Sequence, residues 1–212
     1  MKISKFGHSC VLIEEGKARI LLDPGAFSSG FEGLEQLDAI LITHSHPDHF
    51  VPENLKQLLA HNPQAQVIAD ETSAAELAKA GRTPVRAAHD GDAFEVAGVS
   101  VRVRGTEHAQ IHPKLPTIPN VGYFVADRFF YPGDNFTQPG EPVEILGLPL
   151  GAPWSKVSEV IDYTLAVRPQ IAIPMHDAVL AMPDMHINLV NGFAKPENIE
   201  LRVVANGSST EV

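Results

Sequence analysis

The residues best suited to chemistry crowd into one ten-residue segment, LITHSHPDHF, running from Leu41 to Phe50. His44, His46, Asp48 and His49 place three of the chain's 10 histidines within six positions. Side chains alternate along an extended backbone, so His44, His46 and Asp48 would share one side. Pro47 blocks helix propagation and holds its predecessor extended, which makes the segment a strand-to-loop turn. That separates it from the helical His-Glu-x-x-His arrangement, whose two histidines need a spacing of four. Once the chain turns, His49 projects in a different direction. One short segment can then feed two adjacent cations, His44 and His46 serving one, Asp48 and His49 the other.

Two cations need more ligands, and the remaining sequence offers them. His108 in GTEHA would complete a three-histidine site, Asp134 in YPGDN could bridge both ions through its two oxygens, and His176 in IPMHD would finish the second site. Imidazole and carboxylate donors suit Zn²⁺ first, and also Mn²⁺ or Fe²⁺. His112 competes with His108, because the stretch HAQIHPKLP can turn either histidine inward; His108 directly follows its strand and is preferred. His61 and His89 sit beside turn signals and read as solvated, and His186 reads as a surface or capping residue. The single Cys10, inside CVLIE, reads as a buried structural thiol. Trp154 reads as a core contact of the helix that follows it.

These residues need elements to position them. The segments KISKFGHSCVLIEE and RILLDPG pattern as strands, and LDAILITHS is the continuous apolar run of a strand buried on both faces. Helical spacing follows in PENLKQLLAHN, with Pro52 in the first turn. After the strand QVIAD, the segment TSAAELAKAG is expected to be a helix opened by a Ser73–Glu76 capping box and stopped by Gly81. The middle of the chain returns to strands, AFEVAGVSVRVRGTEHA and then VGYFVADRFFYPGD folded about residues 126–128. A helix over PWSKVSEVIDYTLAVR and the strands QIAIPMHD and ELRVVA complete the pattern. Strand–strand–helix blocks occurring twice predict an α/β fold of two sheets sandwiched between helices. Asp23, His44, His108, Asp134 and His176 each follow an apolar strand-like run, so several strand ends can converge on one rim.

The motif His-x-His-x-Asp-His, followed by a distant His, Asp and His, resembles the metallo-β-lactamase superfamily. The similarity runs through GHSCVLIE, LLDPG, LITHSHPDHF, EHA, GYFVADRFFYPGDN and IPMHDAV, most of the chain. The opening GHSCVLIE and the compact length further resemble the branch of ascorbate-6-phosphate lactonase-like proteins and uncharacterised metal-dependent hydrolases. The resemblance implies a four-layer αββα sandwich with its site at one edge of the two sheets. It assigns His44, His46 and His108 to the first ion, Asp48, His49 and His176 to the second, and Asp134 to the bridge. It also brings His8 of the Gly-His-Ser stretch near the metals, as a partner of a ligand or a contact to substrate. Asp23, at the end of LLDPG, is a candidate to hydrogen-bond a ligand imidazole and fix its tautomer.

The expected activity is hydrolysis by a hydroxide held between two divalent ions, cleaving an ester-like bond, lactone or phosphoester, of a small molecule. Asp48 is the expected catalytic residue, orienting the nucleophile and carrying its proton. Two alternatives stand beside this reading: a phosphodiesterase or nuclease, and a non-hydrolytic metal-binding protein on the same fold. A net charge of −10 over 212 residues argues against nucleic acid as the main partner, and the basic residues are scattered. No window approaches the roughly 18 apolar residues of a membrane span. Without an apolar leader and with one cysteine, the chain is expected to be cytoplasmic. One domain over residues 1–212 is expected, and the sequence leaves a homo-oligomer open.

Overall fold

Strand β4 (Ala39–Ile42, AILI) is apolar and buried at all four positions, because it lies inside a sheet covered on both faces. The computed structural model describes residues 1–81 and 84–212. Its first half runs β1 (Lys2–Lys5), β2 (Val11–Glu15), β3 (Ala18–Leu22), β4, α1 (Pro52–His61), β5 (Gln66–Ala69), α2 (Glu71–Lys79) and β6 (Val85–Ala87). The second half runs β7 (Ala93–Val96), β8 (Val99–Arg104), β9 (Gly122–Val125), β10 (Phe129–Tyr131), β11 (Ile145–Pro149) and α3 (Val157–Val167). It closes with β12 (Ile171–Met175), α4 (Pro183–Ala194), β13 (Glu200–Leu201) and β14 (Ser209–Glu211).

The strands form two seven-stranded sheets, ordered β14-β1-β2-β3-β4-β5-β6 and β13-β12-β11-β10-β9-β8-β7. Both are mixed: hairpins build the antiparallel β1–β2–β3 and β7–β8–β9–β10, and helical crossovers build the parallel β4–β5–β6 and β11–β12–β13. Leu22, Leu41, Val103, Tyr123, Tyr131 and Met175 belong to the core between the sheets. A second cluster joins the outer face of the first sheet to Leu55, Leu58 and Leu77 of α1 and α2. A third joins the second sheet to Val160, Tyr163, Val190 and Ala194 of α3 and α4. The result is the αββα sandwich that the strand–helix pattern implies.

Three local details differ from the sequence reading. Helix α2 is capped by Asp70, whose side chain accepts from the Thr72 and Ser73 backbone N–H groups, so Ser73 lies inside the helix rather than at a capping box. Gly81, at φ +76°, does end it. Helix α4 was not expected from its sequence, PDMHINLVNGFA, which carries β-branched residues, two asparagines and Gly192 among its twelve positions. Of ELRVVA, only Glu200 and Leu201 pair as a strand. Among the described residues, no helix is long and apolar enough to cross a membrane.

Candidate metal centre

The parallel register of β3 and β4 pairs Leu22 with Leu41, which carries Asp23 alongside the Thr43–His44 step. Asp23 is fully buried at φ +47°, and its two oxygens are saturated by short contacts. Oδ1 accepts from the Thr43 backbone N–H at 2.8 Å, and Oδ2 accepts from Thr43 Oγ1 at 2.7 Å. Oδ2 also lies 2.7 Å from His49 Nδ1. With its proton given to Asp23, Thr43 Oγ1 is an acceptor for His44 Nδ1, 3.0 Å away. One carboxylate thereby fixes the tautomer of two histidines, leaving the Nε2 lone pair of each free.

The same arrangement recurs at the other strand ends. His108, beyond β8, directs Nδ1 at the Ala109 carbonyl at 2.5 Å, and His176, beyond β12, directs Nδ1 at the Gly151 carbonyl at 2.7 Å. His176 sits at φ +58°, a left-handed conformation uncommon for a residue with a side chain. Asp134 follows β10, its backbone N–H donating to Asn120 Oδ1 at 3.0 Å. The preceding Gly133 adopts φ +66°, and a Cβ there would fall 2.3 Å from Asn120 Oδ1 and 2.8 Å from Thr43 Cβ. Glycine is what lets the Asp134 turn approach the β4 turn so closely.

The functional atoms converge. Asp134 Oδ1 lies 3.1 Å from His49 Nε2 and 3.2 Å from His176 Nε2, and Asp134 Oδ2 lies 3.4 Å from His108 Nε2. Asp48 Oδ2 lies 3.4 Å from His176 Nε2 and 3.8 Å from His49 Nε2. Among the described residues, three groups have donor atoms within 4.8 Å of one another: His44, His46 and His108; His8, Asp48, His49 and His176; and His44, His49 and Asp134. All seven residues expected to be ligands therefore meet at one place. The alternative His112 is exposed, as are His61 and His89.

His8 also reaches the centre, buried with its ring 3.8 Å from that of His176. Its tautomer differs from the others. His8 Nδ1 accepts the Ala178 backbone N–H at 3.0 Å, so in the neutral ring the proton sits on Nε2, 3.4 Å from Asp48 Oδ2. His8 thus offers a hydrogen-bond donor where its neighbours offer lone pairs. Burial lowers its pKa, consistent with a neutral ring. The Ala178 loop is itself anchored by buried Lys5, whose Nζ donates to Asp177 Oδ2 at 2.7 Å and to the Pro174 carbonyl at 3.1 Å.

Trp154 departs from the core role expected of it. Its indole packs edge-on against Phe136, with ring centroids 5.0 Å apart, but Nε1 donates to Asp134 Oδ2 at 2.9 Å. Nothing in the sequence near Trp154 signals this contact, which spans 20 positions.

The electrostatics follow from crowding. Burial lowers the pKa of His44 and His46, with neighbouring imidazoles adding to the effect. Burial also disfavours charge on His49 and His176, but Asp134 outweighs it, holding His49 well above its ordinary value and His176 at about 9. Burial opposes the charge of Asp134 too, yet His49 and His176 hold its carboxyl well below the usual range. Burial opposes the charge of Asp48 as well, yet the neighbouring imidazoles of His176, His8 and His49 hold its carboxyl well below the usual range.

The donor set fits a metal. The Nε2 atoms of His8, His44, His49, His108 and His176, and Oδ1 of Asp134, are buried and make no well-directed hydrogen bond. Each such orphan costs about 1–3 kcal/mol unless satisfied, and a cation between lone pairs of this kind satisfies them together.

Residues 2–176 match the β-lactamase superfamily domain family. The chain is 48% identical over 189 residues to Protein Rv0786c of Mycobacterium tuberculosis, covering 87% of each chain. It is 23% identical over 229 residues to the UPF0173 metal-dependent hydrolase MJ1163 of Methanocaldococcus jannaschii, covering 99% of this chain and 100% of the other. Among solved structures it is similar to Igni18, a metallo hydrolase of Ignicoccus hospitalis, with a TM-score of 0.78 at 20% identity over 100% of this chain and 98% of that one. The chain belongs to the β-lactamase superfamily domain family, and its fold is similar to that of Igni18.

Proposed function

We propose that the protein is a binuclear metal hydrolase that cleaves an ester-like bond, a lactone or phosphoester, in a small molecule. The observation that carries the reading is the set of buried, unpartnered Nε2 atoms whose tautomers are fixed from behind by Asp23, Thr43, Ala109 and Gly151. His44, His46 and His108 would hold one cation, Asp48, His49 and His176 the other, and Asp134 would bridge them. The mixture of imidazole and carboxylate suits zinc, and also manganese or iron. Such a pair of ions, when bound, lowers the pKa of a water toward neutrality and polarises the oxygen that gains charge in the transition state.

The chain's own residues supply the rest. Asp48, held ionised, would orient the water through its carboxylate, take its proton and deliver it to the leaving-group oxygen. His8 Nε2 lies 3.4 Å from the same carboxylate and would steady its direction, with the Ala178 N–H holding the ring in place. Trp154 holds Asp134 by one oxygen, so that the other is directed at His49 and His176. No serine or cysteine nucleophile is needed; Cys10 is buried in the core and its thiol pKa is pushed up by burial.

The test is Asp134→Ala, assayed for bound metal by elemental analysis and for turnover on a panel of lactones, carboxylic esters and bis(p-nitrophenyl) phosphate. Loss of both metal and turnover is the expected result. Full metal content with full turnover would sink the bridging role. Two metals per wild-type chain with no hydrolysis of any panel member would sink the hydrolase reading.

A further inference from the structure

We propose that the part of the substrate away from the scissile bond is an uncharged apolar chain, bound beside the His44–His46–His108 cluster. The proposal rests on the hydrolase reading above and adds the substrate class. A cavity of about 260 Å³ opens from His46 and His108 along the loop over residues 109–118. Its walls are Ala109, Ile111, Leu115, Pro116 and Ile118, and the remaining lining side chains, Gln110 and Thr117, carry no charge.

Ile111 and Leu115 stay 42% and 52% exposed, which leaves large apolar side chains facing solvent at the cavity rather than packed in the core. Singly this is ordinary; two of them lining a cavity that contains two candidate ligand histidines form a binding wall.

The charges needed to receive an anionic group are missing from these walls. Lys114 belongs to the same loop but does not line the cavity. Lys156 stands at the start of α3 with 81% of its side chain exposed, 4.0 Å from Glu159. Lys5 is buried and committed to Asp177. A phosphate or carboxylate on the far end of the substrate would be desolvated there without a partner, whereas an alkyl or acyl chain would bury its surface against aliphatic side chains. At roughly 30 Å³ per water-sized group, a cavity of about 260 Å³ takes a chain on the order of eight or nine carbons.

The test pairs turnover with binding. Metal-loaded protein is assayed on p-nitrophenyl esters from acetate to octanoate, and binding of n-alkyl hydroxamates of the same lengths is followed by calorimetry at two temperatures. Both kcat/KM and affinity are expected to rise about twofold to fourfold per added methylene, with a binding heat capacity that grows more negative as the chain lengthens. A hydroxamate whose chain ends in phosphate is expected to bind at least tenfold more weakly than its alkyl counterpart. Leu115→Asp and, separately, Ile111→Asp are expected to flatten the dependence on chain length, with unchanged thermal unfolding as the check on folding. Affinity that ignores chain length, or tighter binding of the phosphate-ended probe, would overturn the proposal while leaving the hydrolase reading intact. Chain-dependent binding without hydrolysis of any ester would support the pocket and count against the hydrolase reading.

Discussion

Trp154 shows how a single hydrogen bond reaches the centre of the site. Its Nε1–H occupies one lone pair of Asp134 Oδ2 at 2.9 Å, while its ring packs on Phe136. Trp154→Phe keeps the packing and removes the donor. Partners of this kind tune a ligand's direction and basicity, and their loss typically costs about 10–100-fold in metal affinity. A fall of that size is therefore expected in competition titrations with a chromogenic chelator, while the metal-free variant unfolds at the same denaturant midpoint as the parent. An affinity within twofold of wild type would mean that the indole only packs. The sequence made His44, His46, Asp48 and His49 legible because their spacing is local and because Pro47 restricts the backbone between them. It could not settle Trp154 or His8. Their roles depend on contacts 20 and 170 positions away, and an isolated tryptophan before a helix looks the same whether it caps a core or steadies a carboxylate.

At the scale of elements, the loop after β3 packs directly onto the turn that carries Asp48 and His49. Gly25 makes that contact: a Cβ built there would lie 1.9 Å from the Asp48 carbonyl oxygen and 2.4 Å from the His49 nitrogen. Gly25→Ala must displace one backbone or the other, at an overpacking cost of about 1–3 kcal/mol. A lower denaturant midpoint is expected, together with a metal stoichiometry that falls toward one, because the shifted peptide carries ligands of the second cluster only. A variant with wild-type stability and metal content would show that the two loops can part freely. Strands β4 and β12 and helices α1 and α3 were readable from buried apolar runs and helical spacing. Helix α4 was not, since its stability comes from Val190 and Ala194 packing into the third cluster rather than from its own propensities. The cap of α2 was misassigned for a similar reason. Asp70 and Ser73 are both good caps in isolation, and the end of β5, three-dimensional rather than local information, decides between them.

For the molecule as a whole, the sandwich collects groups spread from residue 8 to residue 176 onto one edge, and their charges must balance there. Without metal, the balance falls to protons. Burial disfavours a charged His176, but Asp134 and Asp48 raise its pKa to about 9 from an ordinary 6.5, and His49 is raised in the same sense. A proton held more tightly by the folded chain than by the unfolded one stabilises the fold. That contribution is fully present below the unfolded value of 6.5 and is lost as pH rises toward 9. The metal-free protein should therefore lose stability over this window in chemical denaturation. In the metal-loaded protein the same Nε2 lone pairs are taken by cations, so its stability should vary much less over the same range. Loading at pH 7 must also displace the protons on His49 and His176, releasing between about one and two per chain. Calorimetric titrations in buffers of different ionisation enthalpy would count them. Parallel stability curves for the two forms, or uptake of metal without proton release, would remove His49 and His176 from the ligand set and with them the second cation.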